Sequence, residues 1–386
     1  MKRFFYIFAL VMLMIAFATS AFASEGNYQQ RETMKTYFVA FQNDIDLGLI
    51  KGKGGELARQ YKYMPVIAVK LPEQAVQSLS KNPTISYIEQ DRKIQAIGQV
   101  TPWGIKHSGG INAQQTGVTG LGIKIGIIDS GIDYTHEDLQ VKGGATFVEG
   151  TTNYMDDNGH GTHVAGTVAA LTNDVGVLGM APQSDLYAIK VVDQFGGGSY
   201  SDVIAGIEWA ISNNMDIVNM SLGGTSGSKT LKTAVDNAYE RGILLVAAAG
   251  NNGYDKKGTI TYPAKYDSVV AVGAIDSNDN RANFSSVGRD LELMAPGVGI
   301  ISTVLGGYGS YDGTSMASPH VAGAAALVWE AKSGLNNIEL RNVLNESALT
   351  LGDSFSYGNG LIDVLKALNY EKTAPVKVNG YKKISR

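Results

Sequence analysis

The chain has 386 residues, 44% of them hydrophobic and 18% charged, with a formal net charge of −4. That balance excludes a mainly disordered chain, a collagen and a coiled coil, and the slight acidity calls for neither nucleic acid nor an anionic membrane as partner. Gly is abundant at 47 residues and Cys is absent, so many tight connections are expected and any stabilising staple must be something other than a disulfide.

In chain order, Lys2-Arg3 precedes an unbroken apolar run from Phe4 to Ala18, followed by Ala21-Phe22-Ala23. This is the plan of a secretory signal with an A-x-A cleavage site over residues 1–23. The run is shorter than the roughly 20 apolar residues of a spanning helix, so export to the extracellular side is expected, with no membrane anchor after cleavage. Residues 1–97 hold 12 Lys/Arg and 8 Asp/Glu, a charge of +4, and the remainder 20 and 28, a charge of −8. Within 24–97, Tyr37–Phe41, Val66–Lys70 and Ile85–Ile88 read as strands, and Gly55–Tyr61 and Pro72–Leu79 as helices, giving a small α+β domain.

From residue 98 to 370 the pattern becomes short, nearly all-apolar runs alternating with helical stretches. Ile123–Ile128, Leu186–Val192, Ile217–Met220, Leu244–Ala249 and Val269–Val272 have the composition of parallel strands buried on both faces. His163–Leu171, Tyr200–Ile211, Lys229–Tyr239 and Met316–Glu330 read as helices, so one doubly wound α/β domain is expected. Ligands of such sheets bind outside the carboxyl ends of the strands, where Asp129, Asn219-Met-Ser221 and Gly250-Asn251 fall. The tail 371–386 carries five Lys/Arg.

Three polar clusters stand out: Ile127-Ile-Asp-Ser-Gly131, His160-Gly-Thr-His-Val-Ala-Gly166 and Gly313-Thr-Ser-Met-Ala-Ser-Pro319. An Asp ending a strand, a His opening a helix and a Ser opening another can converge as orienter, base and nucleophile. Singly, each has an ordinary reading: Ser315 as a helix N-cap, Asp129 as a cap or turn former, and the two His as a core pair or part of a zinc site.

Together the clusters, in the order Asp, His, Ser, resemble the subtilisin family of serine proteases. Tyr187-Ala-Ile-Lys190, Gly206–Ala210, Ser221-Leu-Gly-Gly224, Ala248–Gly253 and Met294-Ala-Pro-Gly297 agree, so the resemblance covers about residues 99–369. It implies a three-layer αβα domain with a mostly parallel sheet, preceded by a small α+β, ferredoxin-like pro-peptide over 24–97. It also implies a secreted, self-processed serine endopeptidase, expected to be a monomer, whose pro-peptide acts as intramolecular inhibitor and whose substrates are proteins and peptides. A catalytically silent binding module of the same fold is the alternative, and a zinc hydrolase a third reading.

The resemblance implies Asp129, His160, Ser315 and the oxyanion donor Asn251 as catalytic residues, with His163 a packing residue. It implies Gly196, Gly197 and Gly198 on one side and Ser221, Leu222 and Gly223 on the other as the edges that clamp an extended peptide. Ala248, Gly250 and Leu222 line a first pocket for a large apolar side chain, and Thr261 stands where Gly is usual, making it shallower. Asp312 replaces a usual Asn. A calcium ion is implied at Gln99, Asp138, Asn173 and the carbonyls of Leu171, Val175 and Val177, with a weaker site at the carbonyls of Ala264, Tyr266 and Val269. By alignment, Ile94 to Ile97 lie in the cleft as a product, so self-cleavage is expected between Ile97 and Gly98. The Gly-rich stretch Gly48–Gly55 replaces a usually longer first helix.

Overall fold

The computed structural model describes residues 34–91 and 98–371. The expected signal segment, the Ile94–Ile97 junction and all of the basic tail but Glu371 lie outside the described residues. The chain divides after Ala96 into two compact units.

In the first unit, β1 (Lys35–Phe41), α1 (Leu47–Lys51), β2 (Glu56–Gln60), β3 (Val66–Leu71), α2 (Glu73–Leu79) and β4 (Ile85–Gln90) follow one another. The four strands form an antiparallel sheet in the order β2-β3-β1-β4, which is the ferredoxin-like βαββαβ arrangement. Val39, Phe41, Ile67, Val69 and Leu71 of the sheet pack with Ile50 and Leu79 of the helices. The expected helix at Gly55–Tyr61 is instead the edge strand β2, and all five of its residues are exposed. Glu-Leu-Ala-Arg-Gln is a good helix former in isolation, but the free edge of β3 offers it a hydrogen-bond ladder, and pairing overrides propensity. The first helix is short because Asp46 caps it through Leu49 N–H (2.9 Å) and Gly52 ends it one turn later.

The second unit begins with α3 (Trp103–His107) and α4 (Gly110–Gln115), then β5 (Lys124–Asp129), β6 (Val141–Thr146), α5 (His160–Ala169), β7 (Asp185–Lys190), α6 (Tyr200–Ser212), β8 (Ile217–Met220), α7 (Lys229–Glu240), β9 (Leu244–Ala248), β10 (Val269–Ile275) and β11 (Leu293–Pro296). A hairpin, β12 (Ile300–Val304) and β13 (Gly307–Tyr311), leads into the long helix α8 (Thr314–Ala331). Seven strands form one parallel sheet in the order β11-β10-β9-β8-β5-β7-β6. Helices α5 and α8 pack together on the sheet, and α6 and α7 form the other helical layer. Every side chain of β8, β9 and β10 is buried, as sandwiching between helices requires.

Strand order reverses at β5, which lies between β7 and β8. The crevice above such a reversal is where an open α/β sheet admits a ligand, and Asp129 is the last residue of β5. The helix expected over His163–Leu171 is α5, which begins at His160 and ends at Ala169; Leu171–Val177 lies between it and the next element, β7. Among the described residues no helix is long and apolar enough to cross a membrane.

Candidate active site

Asp129 is buried at the end of β5, and its Oδ1 accepts from Ser130 N–H (2.8 Å) and from His160 Nδ1 (2.7 Å). His160 opens α5 after Gly159, whose φ of 98° lets the chain turn abruptly into the helix. Gly161 follows because a Cβ there would run into the Gly131 carbonyl, so α5 is seated against the Asp129 loop. Burial lowers the imidazole pKa, but the charge and hydrogen bond of Asp129, with the charge of Asp156, outweigh it, and the net shift is upward.

Asp156 was not singled out from sequence. It is buried and accepts from Ser130 Oγ (2.8 Å), Asn158 N–H (3.0 Å), Gly159 N–H (2.9 Å), Thr162 N–H (2.9 Å) and Thr162 Oγ1 (2.6 Å). It thereby ties the loop before α5 to the residue after Asp129. Lys190, also buried, reinforces the same loop by donating to Ser130 O (2.6 Å), Asp157 Oδ1 (2.6 Å) and Val192 O (3.1 Å). Only the Asp-Asp-Asn-Gly run ahead of His160 hinted at such a role, as a turn sequence.

Ser315 is the second residue of α8. Four residues on, Pro319 lacks the N–H that would bond the Ser315 carbonyl. Ser221 replaces it: its hydroxyl donates to Ser315 O (2.8 Å), while Ser315 Oγ donates to Ser221 O (3.1 Å). Ser221 is oriented in turn by Asn219 Nδ2 (2.9 Å), whose Oδ1 accepts from Ser318 (2.6 Å). Ser315 Oγ is thus turned to Ser221 and makes no hydrogen bond to His160 in this structure. Asn251, just beyond β9, has its Oδ1 fixed by Thr314 N–H (3.0 Å) and Thr314 Oγ1 (2.9 Å), which leaves its Nδ2 free to donate.

A cavity of about 550 Å³ is lined by Asp129 and His160, by Gly196 and Gly198 on one side and by Ser221, Leu222 and Gly223 on the other. Gly197 is not in its wall; its N–H donates to Asp193 Oδ1 (2.9 Å) and its carbonyl accepts from Asp193 N–H (2.8 Å). Ala248, Gly250 and Thr261 also lie outside that lining. Thr261 is buried, donates to Ala249 O (3.2 Å), and its side chain would meet a Cβ on either Gly223 or Gly250. Tyr200 and Val203, in the first turn of α6, line the cavity and were not anticipated; the capping box Ser199–Asp202 that starts this helix was the available signal. Asp312 is accounted for: its Oδ1 accepts from Gly299 N–H (2.6 Å), closing the turn at which Gly299 takes a φ of 63°.

The remaining imidazoles are committed elsewhere. His163 is buried, stacks on Tyr311 at 4.4 Å and bonds Ile300 O (2.9 Å), and burial pushes its pKa down to about 4. His320 is likewise pushed down to about 4 by burial. His136 bonds Gly307 O (2.8 Å), and His107 pairs with Asp279 (2.7 Å).

The candidate calcium residues do converge. Gln99 Nε2 donates to Leu171 O, Val177 O (2.9 Å) and Asn173 Oδ1 (3.4 Å), so the amide must turn over to present its oxygen to a cation there; Val100 pairing with Val177 holds the segment in place. Asp138 is fully buried; Oδ2 accepts from Val177 N–H (2.9 Å), while Oδ1 has no partner. A buried carboxylate oxygen without a donor, beside a cluster of oxygens, is what a hard cation satisfies. The second set fits poorly: Val269 O and Asp267 O already face Arg341 (3.3 and 2.8 Å), and Tyr266 O accepts from Val269 N–H (2.9 Å). A guanidinium supplies the positive charge there.

Residues 120–360 match the model of the Subtilase family. The chain belongs to that family. It is 48% identical over 372 residues to subtilisin NAT of Bacillus subtilis subsp. natto, covering 94% of this chain and 97% of that protein. It is 48% identical over 309 residues to an alkaline protease of Alkalihalobacillus alcalophilus, covering 80% of each chain. To subtilisin DY of Bacillus licheniformis it is 58% identical over 268 residues, 69% of this chain and 98% of that protein. The subtilase is accordingly a serine endopeptidase of the subtilisin type.

Proposed function

We propose that Ser315 is the nucleophile, His160 the general base, Asp129 its orienter and Asn251 an oxyanion donor in the hydrolysis of peptide bonds. The observation that carries this is the 2.7 Å bond between His160 Nδ1 and Asp129 at the carboxyl end of β5. Because Nδ1 donates to Asp129, the neutral ring keeps Nε2 as its acceptor. The Ser315 hydroxyl must rotate from Ser221 O toward Nε2; such bonds commonly tighten only when substrate is in place. As Oγ attacks the carbonyl carbon, its proton passes to His160, and the oxyanion takes donors from Asn251 Nδ2 and the Ser315 N–H. His160 then protonates the amine as the C–N bond breaks, and water attacks the resulting ester in a mirrored second half.

Gly198 and Leu222 present two backbone edges in one cavity, between which an extended peptide pairs by β-augmentation. The pocket by Ala248 and Gly250 takes a large apolar side chain, with Thr261 reducing its depth. Secretion, inhibition by the attached pro-peptide, a monomeric mature enzyme and calcium held by Gln99, Asp138 and the 171–177 loop complete the reading; the calcium stabilises and takes no part in bond cleavage.

A serine-directed organophosphonate should label Ser315 stoichiometrically; an unlabelled, folded protein would return the chain to the silent-module alternative. Asn251→Leu should lower kcat about 100–1000-fold, as loss of the matching donor does in subtilisins, with KM little changed. A variant within a few-fold of wild type would remove Asn251 from the oxyanion site.

The raised pKa of His160 sets a pH dependence. Activity requires the neutral ring, so the acid limb of kcat/KM should fall above the ordinary imidazole value of about 6.5. Asp156→Asn should move that limb downward, since it removes a charge that favours the imidazolium. The stability linked to this pKa runs oppositely, present below about pH 6.5 and lost as pH rises through the folded value. A wild-type limb below 6.5, or one unmoved in the variant, would contradict the assignment.

A further inference from the structure

A second cavity, of about 530 Å³, shares no lining residue with the first. Lys256, Lys257, Lys265 and Arg289 line it, against a single acid, Asp290. This concentration of cations occurs in the part of the chain, residues 98–386, that carries 20 Lys/Arg and 28 Asp/Glu, a net −8.

The backbone fixes where these side chains start. Lys256 and Lys257 ride a turn closed by Gly258 N–H to Asp255 O (3.0 Å). The Asp255 carboxylate accepts from Lys257 N–H (2.9 Å), so this nearby acid is already engaged in the turn. Two bonds, Thr259 N–H to Val287 O (2.7 Å) and Val287 N–H to Thr259 Oγ1 (3.1 Å), strap that turn to the loop bearing Arg289. Lys265 stands 5.8 Å from the centre of the Tyr262 ring.

None of the four cations forms an ion pair among the described residues; the pairs present engage Lys35, Lys142, Lys190, Lys232, Lys366, Arg341 and two His instead. Like charges around one opening repel, and an anion with several charges offsets that repulsion. Arg289 offers a fork matched to a carboxylate. The wall is partly apolar, with Ile260 and Val287 buried and Phe355 half-buried, which suits methylene stems better than a sugar-phosphate chain.

We propose that this cavity binds a carboxylate-rich peptide segment, with two or more Glu side chains among Lys256, Lys257, Lys265 and Arg289. On a protein substrate it would hold an acidic stretch outside the cleft; that consequence rests on the peptidase reading, whereas the binding does not.

A fluorescent hexaglutamate of D-residues, which a stereospecific cleft does not cut, provides the probe. Fluorescence anisotropy with the full chain at about 20 mM salt, where surface charges are little screened, should give saturable binding. Lys257→Gln with Arg289→Gln should weaken it about tenfold or more, while hydrolysis of a short neutral peptide stays unchanged and reports an intact fold. Absence of saturable binding, or equal binding by the double variant, would overturn the site. An oligothymidylate of equal charge binding as tightly would overturn the peptide assignment.

Discussion

Ser315→Ala is expected to yield a folded, full-length precursor with the pro-peptide still attached, and to lower turnover on exogenous peptides about 10⁶-fold, a magnitude carried over from subtilisins. The fold should survive because removing Oγ deletes only the 3.1 Å bond to Ser221 O; the structural bond, Ser221 Oγ to the Ser315 carbonyl, involves backbone and persists. Processing should fail because the same nucleophile is proposed to cut between Ile97 and Gly98. The proposed register puts Ile97 in the first apolar pocket, where burying an Ile side chain is worth roughly 1.5–3 kcal/mol, enough to favour it over a register that puts Gln95 there. The N-terminus of wild-type protein secreted by a host without other proteases should read Gly98. Normal trimming of the Ser315→Ala chain in that host would refute self-processing, and a different wild-type terminus would refute the register.

The sequence carried the parallel sheet well because a strand buried on both faces has almost no freedom of composition: Ile217–Met220 was bounded to the residue, and Leu244–Ala249 to within one. It carried β6 poorly. Val-Lys-Gly-Gly-Ala-Thr lies at the sheet edge, half-exposed, and Gly144 is there for close approach to the Ala188 backbone and the Tyr154 ring. The proposed triad residues were visible because their motifs are local in sequence. What holds them is not local. Asp156 acts through hydrogen bonds from the backbone of residues 158–162 and from the Ser130 hydroxyl on another loop, and Ser221 completes a helix whose missing donor is a Pro 98 residues downstream. No spacing rule reveals an acceptor waiting for a partner that far along the chain. The edge strand β2 shows the converse, a strong local preference overruled by the ladder available to it.

Removal of calcium is expected to lower the unfolding temperature and to open the loop Leu171–Val177 to autolysis. Asp138 Oδ1 is buried without a donor, and burial raises the pKa of this carboxyl despite the Val177 N–H, the Asn173 side chain and the charge of His136. A carboxylate in that state opposes folding above its unfolded pKa unless a cation faces it. Gln99, Asn173 and the loop carbonyls are oxygen donors brought together only in the folded chain, so free calcium at 100 times Kd would add about 2.7 kcal/mol. For a domain of this size that corresponds to a rise of about 5 °C or more. Chelation should reverse the gain, and Asp138→Ala should lose most of the calcium response. That variant also removes the bond to Val177 N–H, so its unfolding temperature without calcium should be compared with that of chelated wild type. A wild-type unfolding temperature indifferent to chelator, or an Asp138→Ala protein still raised by calcium as far as wild type, would show that these residues hold no stabilising ion. Proteolytic fragments of chelated protein should begin or end within residues 171–177; cuts elsewhere would separate the stability effect from this loop.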